Sequence, residues 1–197
     1  MNRTQTAGRT PKPTTNGKLS VRRRLAGGES NLEQGQYAEA IHAARQVLAG
    51  DPNHLGGLEL LARAHWRSGE YEHALDDLRH LIRLNPYEPG YHYLRGGALQ
   101  ALAHYGEAVH AYARCLESDN ANLKASAATA IRELETWQEG VIAELLKSDR
   151  KFRAEYSIDP IEACKSRGFA FSAEDASVSA QLAATIELPI VSWDRPS

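Results

Sequence analysis

A repeat of 34 residues is the feature that most constrains how this chain of 197 residues can fold. Three segments align without a gap, and they begin at Gly35, Gly69 and Ala103. Their sequences are GQYAEAIHAARQVLAGDPNH, GEYEHALDDLRHLIRLNPYE and AHYGEAVHAYARCLESDNAN. Self-similarity at a fixed period of this length is typical of stacked units that bury a continuous core between neighbours. The chain is therefore expected to contain three copies of one supersecondary element.

The residue types in each copy predict two antiparallel helices. Gly35 and Gly69 precede the second helix, at a turn where a left-handed backbone costs little only for glycine. Pro52 and Pro86 follow that helix, because proline cannot continue the hydrogen-bond ladder. One position of the second helix is always alanine, and we expect the two helices to approach most closely there: Ala40, Ala74 and Ala108. The predicted pairs span 21–34 with 37–50, 55–68 with 71–84, and 89–102 with 105–118.

This pattern resembles the tetratricopeptide-repeat (TPR) family over residues 21–122. The resemblance implies an all-α fold, a right-handed solenoid of three helix pairs closed by a capping helix. It also implies a concave groove that is lined by the first helix of each pair and binds peptides. The function expected from it is that of an intracellular scaffold or adaptor that binds a protein or peptide partner, an acidic peptide being one candidate.

The rest of the chain predicts three further segments. Residues 1–20 are basic and rich in Thr, Gly, Pro and Asn, which predicts a disordered tail that either aids solubility or contacts an acidic partner or nucleic acid. Residues 123–148 carry an apolar stripe and predict one capping helix, or two if Gly140 breaks it. Residues 149–197 predict a small helical segment that is split at Asp159-Pro160, a further helix capped by Ser172, and an extended apolar tail. We expect this tail to dock a partner through Ile186, Leu188, Ile190 and Trp193, the alternative being that it packs on the repeats of its own chain as an internal ligand of the groove.

The segment after the capping helix resembles the helical leader domain of nitrogen-fixation-type precursors of peptide natural products. The matching residues are Ser148-Asp149, Phe152, Asp159-Pro160, Ala163 and the run 168–174. The resemblance implies a docking handle for a peptide-modifying enzyme, although neither a Gly-Gly cleavage site nor a core rich in Cys, Ser or Thr follows. The small helical subunit of extradiol ring-cleavage dioxygenases offers a similar, equally loose match.

The repeat register assigns candidate groove positions on the first helices. Arg63 and Arg67 lie one turn apart beside Trp66, so two guanidinium groups and an indole can hold a carboxylate and a side chain of an extended peptide. The predicted peptide-binding residues are Glu59, Arg63, Trp66, Arg67, Tyr93 and Gln100, with Leu25, Glu29 and Leu32 as the inward positions of the first repeat. The alternative is a solvated helix face in which Glu59 neutralises Arg63.

The resemblance also argues against one class of partner. TPR proteins that bind heat-shock chaperones hold a C-terminal carboxylate with Lys, Asn, Asn, Lys and Arg at defined groove positions. The corresponding residues here are Leu25, Glu29, Leu60, Gly90 and Leu94, and none matches. We therefore expect no binding to the acidic tails of these chaperones.

Motifs for catalysis are absent from the sequence, so we expect no enzyme, no catalytic residue and no cofactor. His73 and His80 can share a helix face, but no carboxylate or cysteine completes a ligand set, which predicts no metal site. Cys115 and Cys164 are expected to be reduced thiols, with Cys115 buried as a small hydrophobe.

Composition bounds the remaining partners and the location. A net charge of -2, and the lack of an apolar run long enough to span a bilayer, predict neither a nucleic acid partner nor a membrane. Without a secretory signal, the expected location is the cytoplasm. Three alternatives to an adaptor remain: a carrier whose leader-like segment is docked and modified by an enzyme, a secretion-type TPR chaperone, and an accessory subunit of an enzyme.

Overall fold

The computed structural model describes residues 15–172, which form nine α-helices and no strand. In chain order the helices are α1 (Thr15–Glu33), α2 (Tyr37–Leu48), α3 (Leu55–Ser68), α4 (Tyr71–Leu84), α5 (Pro89–Ala101), α6 (Tyr105–Ala113), α7 (Ala121–Ser148), α8 (Arg150–Ile158) and α9 (Pro160–Ser166). The predicted all-α fold of helix pairs is confirmed. The predicted helix after Ser172 and the tail residues Ile186, Leu188, Ile190 and Trp193 lie outside the described residues, as do residues 1–14.

The turns inside the three helix pairs have the left-handed backbone that the repeat predicts. Gly35 and Gly69 have φ angles of 76° and 84°, and the third copy places Ala103 in the same region at 61°. In each case the N–H of the following residue donates to a carbonyl oxygen five positions earlier, such as His65 for Glu70. These bonds satisfy carbonyl groups at the end of the first helix and reverse the chain.

Two helix boundaries differ from the prediction. Helix α1 begins at Thr15, inside the segment 1–20 for which disorder was expected. Helix α6 ends at Ala113, whereas the repeat predicted a helix to 118. Residues after Ala113 continue as tight turns, in which the N–H of Cys115 donates to Tyr112 O and that of Ser118 to Cys115 O. This third copy also lacks the proline that ends the other two second helices.

The contacts between Cα atoms divide the chain into an N-terminal unit, up to Asp77, and a C-terminal unit, from Leu78 onward. Helices α1, α2 and α3 and the first half of α4 belong to the N-terminal unit. Its core includes one cluster in which α1 contributes Leu32 and α3 contributes Leu60 and Ala64. The alanines at the predicted close approach in this unit, Ala40 and Ala74, are fully buried.

The C-terminal unit contains a long helix that joins the last repeat to the end of the chain. Helix α7 runs for 28 residues and passes through Gly140 without a break, so the predicted cap is one helix. Asn120 caps its start, because the side-chain oxygen accepts the N–H groups of Asn122 and Leu123. Helix α7 packs against α6, and its residues Ile142 and Leu146 belong to another apolar cluster.

That second cluster is closed by two short helices after α7. Phe152 and Tyr156 of α8 and Cys164 of α9 pack on Ile142 and Leu146. Asp149 caps α8 and Asp159 caps α9, with Pro160 in the first turn of α9, as the Asp-Pro pair predicted.

The turn after α9 is held by charge as well as by packing. The Arg167 guanidinium donates to the carboxylate of Asp149 at 3.0 Å. The backbone N–H of Phe152 and this guanidinium lower the pKa of the Asp149 carboxyl below its usual value. Residues 167–172 then continue without regular structure beside α6 and α7. Among the described residues, no helix has both the length and the apolar character needed to cross a membrane.

Candidate functional site

The first candidate surface lies on helix α3 in the N-terminal unit, where an ion pair joins two successive repeats. Arg63 Nη1 contacts Glu29 Oε1 and Oε2, each at 2.9 Å. Both side chains are 39% exposed, so the pair is screened by water and contributes little to stability by itself. The partner of Arg63 in this pair comes from the preceding repeat, whereas the alternative drawn from the sequence had Glu59 as the neutralising group.

Arg67 lies one turn further along α3 and is the more available cation. Its side chain is exposed, and Nη1 makes a long hydrogen bond of 3.4 Å to the carbonyl oxygen of Leu32, at the end of α1. Within residues 17–172 no carboxylate pairs with Arg67. The guanidinium therefore retains most of its charge and donors for a ligand.

Trp66 separates these two arginines in sequence and is half-buried. Its Nε1–H is buried and has no hydrogen-bond partner among the described residues. Leu32, predicted to be an inward groove position, is instead fully buried in the apolar cluster of the N-terminal unit and cannot contact a ligand. The prediction of an inward groove position is therefore wrong for Leu32, which packs in the cluster between α1 and α3. The groove position of Glu29, which is half-exposed beside Arg63, stays a prediction.

The remaining predicted residues, Tyr93 and Gln100, belong to α5 in the C-terminal unit. The ring of Tyr93 meets that of Tyr112 edge-on, with centroids 5.3 Å apart. Tyr112 donates its hydroxyl to Gln100 Oε1 at 3.1 Å, which leaves the amide –NH2 of Gln100 to serve a ligand. Burial raises the pKa of Tyr112 to about 12, so its hydroxyl remains a donor at neutral pH.

An open cavity of about 400 Å³ lies beside Tyr93. Helix α7 supplies its other wall, and the lining side chains there are mostly small: Ala125, Ser126, Thr129, Ala130 and Glu133. Small side chains on one wall and a ring on the other suit an extended segment of polypeptide better than a small polar metabolite.

Comparisons with known proteins agree with this architecture. A family profile for the anaphase-promoting complex, cyclosome, subunit 3, matches residues 33–115. The first TPR of Spaghetti (RPAP3) bound to the HSP90 peptide SRMEEVD is similar in structure, with a TM-score of 0.55 and 25% identity over 60% of this chain and 92% of that one. The first TPR domain of human RPAP3 gives a TM-score of 0.52 and 26% identity over 61% of this chain and 98% of that one.

The repeats of this chain are tetratricopeptide repeats. The recognition made from the 34-residue register is therefore confirmed for this part of the chain. No curated protein sequence matches the chain. One of these neighbours is a TPR domain bound to a peptide, which supports the coarse function of a TPR module that binds proteins or peptides. None of these comparisons assigns a role to an individual residue of this chain.

The C-terminal unit holds a second cavity, of about 450 Å³, that sequence reasoning did not anticipate. Its walls include Tyr105 and Trp137, whose ring centroids are 4.2 Å apart, together with Arg167 and Phe169. Trp137 is 45% exposed. The aromatic pair joins the last TPR to α7, so the simplest role for it is to seal that contact.

Three other polar contacts of the TPR region and its cap were also missed. The buried imidazole of His65 places Nδ1 2.6 Å from Asp77 Oδ2 across the α3–α4 turn. Burial raises the pKa of the Asp77 carboxyl, and its hydrogen bond with His65 lowers that pKa only in part. Gln138 contacts Ala170, and Glu29 contacts Arg63, across separations of 32 and 34 residues. The last of these equals one repeat, so the register itself could have revealed it.

The two cysteines are buried as free thiols. Burial raises the pKa of both thiols to about 11. Cys115 also donates to the carbonyl oxygen of Pro89 at 3.3 Å. A nucleophilic cysteine needs an accessible group with a lowered pKa, so neither residue has the character of a catalytic thiol.

Proposed function

We propose that this chain is a TPR adaptor whose N-terminal unit holds a carboxylate of an extended peptide with Arg67 and Arg63. The observation that carries the proposal is the difference between these two arginines. Arg67 is exposed without an ion pair in the described chain, and Arg63 is paired with the half-exposed Glu29. An entering carboxylate can bind Arg67 directly and can compete with Glu29 for Arg63.

Physical chemistry supports a carboxylate ligand at this position. Guanidinium groups bind carboxylates through paired, charge-assisted hydrogen bonds. The adjacent Trp66 is half-buried and offers the exposed part of its indole as an apolar surface. Aromatic and arginine side chains of this kind are enriched among residues that dominate the energy of interfaces. The structural likeness to a TPR domain bound to SRMEEVD supports a peptide as the class of ligand.

Glu59 completes the predicted set in the N-terminal unit. It lies on α3 one turn before Arg63 and is half-buried. In the proposal its carboxylate limits the number of negative charges that the ligand can carry, because two acidic groups close together would repel each other. The preferred ligand then has one carboxylate, at its C-terminus or on a side chain, next to an apolar residue.

A double substitution of the arginines tests this assignment. Replacing Arg63 and Arg67 with Ala should weaken binding of a peptide that carries one carboxylate by roughly 10- to 100-fold, since a hydrogen bond to a charged group contributes about 1.5–3 kcal/mol. Fluorescence anisotropy with a labelled peptide library measures the affinity. The matched control replaces Arg45 and Arg83, two exposed arginines on α2 and α4, and should leave the affinity unchanged.

A single substitution of Glu29 tests whether the ion pair with Arg63 competes with the peptide. Glu29→Ala frees Arg63, so it should tighten binding of the same peptide while it removes one negative charge. Equal affinities for wild type, the Arg63/Arg67 double variant and Glu29→Ala would refute the assignment. The peptide SRMEEVD forms a further arm, in which we expect no binding beyond that of a scrambled peptide, because the clamp residues of chaperone-binding TPRs are not matched.

Tyr93 and Gln100 are proposed as a separate contact set in the C-terminal unit. Tyr93→Ala removes the ring that lines the 400 Å³ cavity, so it should lower the affinity for a peptide that binds in this cavity. Tyr93→Phe keeps the ring and should retain most of the affinity. Loss of binding in Tyr93→Phe as well would mean that the hydroxyl, and not the ring, contacts the ligand.

The carrier, the secretion chaperone, the accessory subunit and the cytoplasmic location stay predictions from the sequence. One contact bears on the carrier: part of the leader-like motif is hydrogen-bonded to Gln138. A modifying enzyme that grips this motif through its backbone would first have to release it. Affinity capture of the native chain, followed by mass spectrometry of its partners and of its own C-terminus, distinguishes a carrier from an adaptor.

A further inference from the structure

A group of three potential metal ligands lies at the turn between α3 and α4. His65, Glu70 and His73 each offer one ligand atom, and these atoms all lie within 4.8 Å of one another. The left-handed Gly69 makes this possible, because it reverses the chain directly after α3 and starts α4 beside it. All of these residues belong to the N-terminal unit.

His65 has the geometry of a metal ligand that is already oriented. Its side chain is only 4% exposed, and Nδ1 lies 2.6 Å from Asp77 Oδ2. The other ring nitrogen, Nε2, is buried and has no hydrogen-bond partner among the described residues. An unsatisfied buried nitrogen is costly, and an imidazole held by a carboxylate through its other nitrogen is the common arrangement around bound zinc.

The remaining two ligands are Glu70, which lies in the turn just before α4, and His73, which lies in the first turn of α4. His73 Nδ1 lies 3.2 Å from Glu70 Oε2, and the rings of His65 and His73 are 5.3 Å apart between centroids. Ligand atoms around a tetrahedral zinc ion are separated by about 3.3 Å, which follows from bonds of about 2.0–2.1 Å. Both side chains are exposed and can rotate, so a small contraction brings the group to that spacing.

We propose that His65, Glu70 and His73 bind a divalent transition-metal ion, zinc in the first place, with Asp77 as the residue that positions His65. Two imidazoles and one carboxylate favour zinc, copper or nickel over calcium or magnesium, which take oxygen ligands. Three protein ligands leave a fourth position for water or for a group from a partner. The sequence predicted no metal, because His73 was paired with His80 on one helix and no further ligand completed that pair, whereas His65 comes from α3 and Glu70 from the turn.

Zinc titration of the full chain, purified without a histidine tag and stripped with a chelator, tests this site. Isothermal titration calorimetry should show one zinc ion bound per chain. Thermal unfolding should shift upward by roughly 5 °C or more when free zinc exceeds the dissociation constant 100-fold, because the ion binds the folded chain. Cobalt in place of zinc should give the visible absorption of a tetrahedral site.

Variants assign the ligands. His73→Ala and Glu70→Gln change exposed side chains, so both should fold, as circular dichroism checks, and each should weaken zinc binding at least 10-fold. His80→Ala is the matched control on the same helix and should bind zinc like the wild type. Asp77→Asn should weaken binding about 10-fold through the orientation of His65.

Two results would overturn the proposal. The first is the absence of zinc uptake by the folded wild-type chain at micromolar concentrations. The second is zinc binding that survives both His73→Ala and Glu70→Gln, or that falls equally in His80→Ala. Neither result touches the peptide-binding proposal, whose test uses the arginines of α3 and requires no metal.

Discussion

Gln138 holds the backbone of Ala170 through two hydrogen bonds of 2.9 Å each. Its side-chain –NH2 donates to Ala170 O, and its side-chain oxygen accepts the N–H of Ala170. Gln138 is fully buried. Its side-chain amide pairs with the backbone of Ala170 in the way that the backbone of a neighbouring β-strand would. The residues just before Ala170 lie so close to α6 that a Cβ at Gly106 would clash with Gly168 O.

Replacement of Gln138 by Leu should release residues 168–172 without unfolding the helices. Loss of two hydrogen bonds costs about 2 kcal/mol, which corresponds to roughly 30-fold faster amide exchange in this segment. Hydrogen exchange with mass spectrometry measures the change. Thr136→Leu, at an exposed position of the same helix, is the control and should exchange like the wild type. Unchanged protection in Gln138→Leu would show that packing of Phe169 and Phe171 alone holds the segment.

Two glycines inside helices of the C-terminal unit should respond to alanine with opposite signs. A Cβ at Gly140 meets no atom within 4 Å, whereas a Cβ at Gly96 would lie 2.7 Å from ring carbons of Tyr112. Gly140→Ala should stabilise the fold by about 0.5–1 kcal/mol, because alanine loses less backbone entropy. Gly96→Ala should destabilise it by about 1–3 kcal/mol through overpacking. Urea unfolding of both variants compares the signs, and a gain in stability for Gly96→Ala would contradict the close approach of α5 and α6.

The turn of the third repeat should be improved by the glycine that the other two repeats use. Ala103 has a φ of 61°, where an L-residue other than glycine is strained by about 1–2 kcal/mol. Glycine removes this strain but loses more entropy on folding, so Ala103→Gly should stabilise the fold by about 0.5–1 kcal/mol. Gly69→Ala is the reciprocal variant and should destabilise by a similar amount. Urea unfolding of both variants measures the change in stability. Equal denaturant midpoints for the variants and the wild type would show that these turns are not strained.

Both cysteines should resist thiol reagents until the fold opens. With a pKa of about 11, each folded thiol is almost entirely protonated at pH 8, and burial also blocks the reagent. Because the reactive form is the thiolate, labelling of the native chain should be negligible at pH 8 and should rise as the pH approaches the pKa of the thiols. Mass spectrometry after treatment with iodoacetamide counts the labels, with the urea-unfolded chain as the positive control. Rapid native labelling of Cys115 would place it outside the core of its repeat.

The repeat register predicted most of the helices well, because the turn residues that end one helix and precede the next recur every 34 residues. Gly35 and Gly69 have the left-handed backbone that the register assigned, and the recurring alanines are fully buried. The early end of α6 was missed, because the repeat register predicted the same length for all three second helices. The contact of Glu29 with Arg63 was not predicted, although their separation of 34 residues places them at equivalent positions of successive repeats.

Contacts between residues that the 34-residue repeat does not relate could not be predicted. Gln138 and Ala170 are 32 residues apart, in parts of the chain that share no pattern. A buried glutamine within an amphipathic helix looks like a polar residue on the border of the apolar stripe. His65 and Asp77 face each other only because the turn at Gly69 brings the two helices together at one particular angle. Such pairs depend on tertiary geometry, which a pattern along one helix does not contain.

The length of α7 carries a consequence for how this chain can change in evolution. Ala127, Ile131 and Leu134 are buried in its first half, and Ile142 and Leu146 are buried in its second half. Insertion of a single residue between the two sets would rotate one against the other by about 100°. One of the two clusters would then lose its apolar partners. Homologous chains should therefore tolerate many substitutions at exposed positions of α7, while they insert or delete residues only before Ala121 or after Ser148.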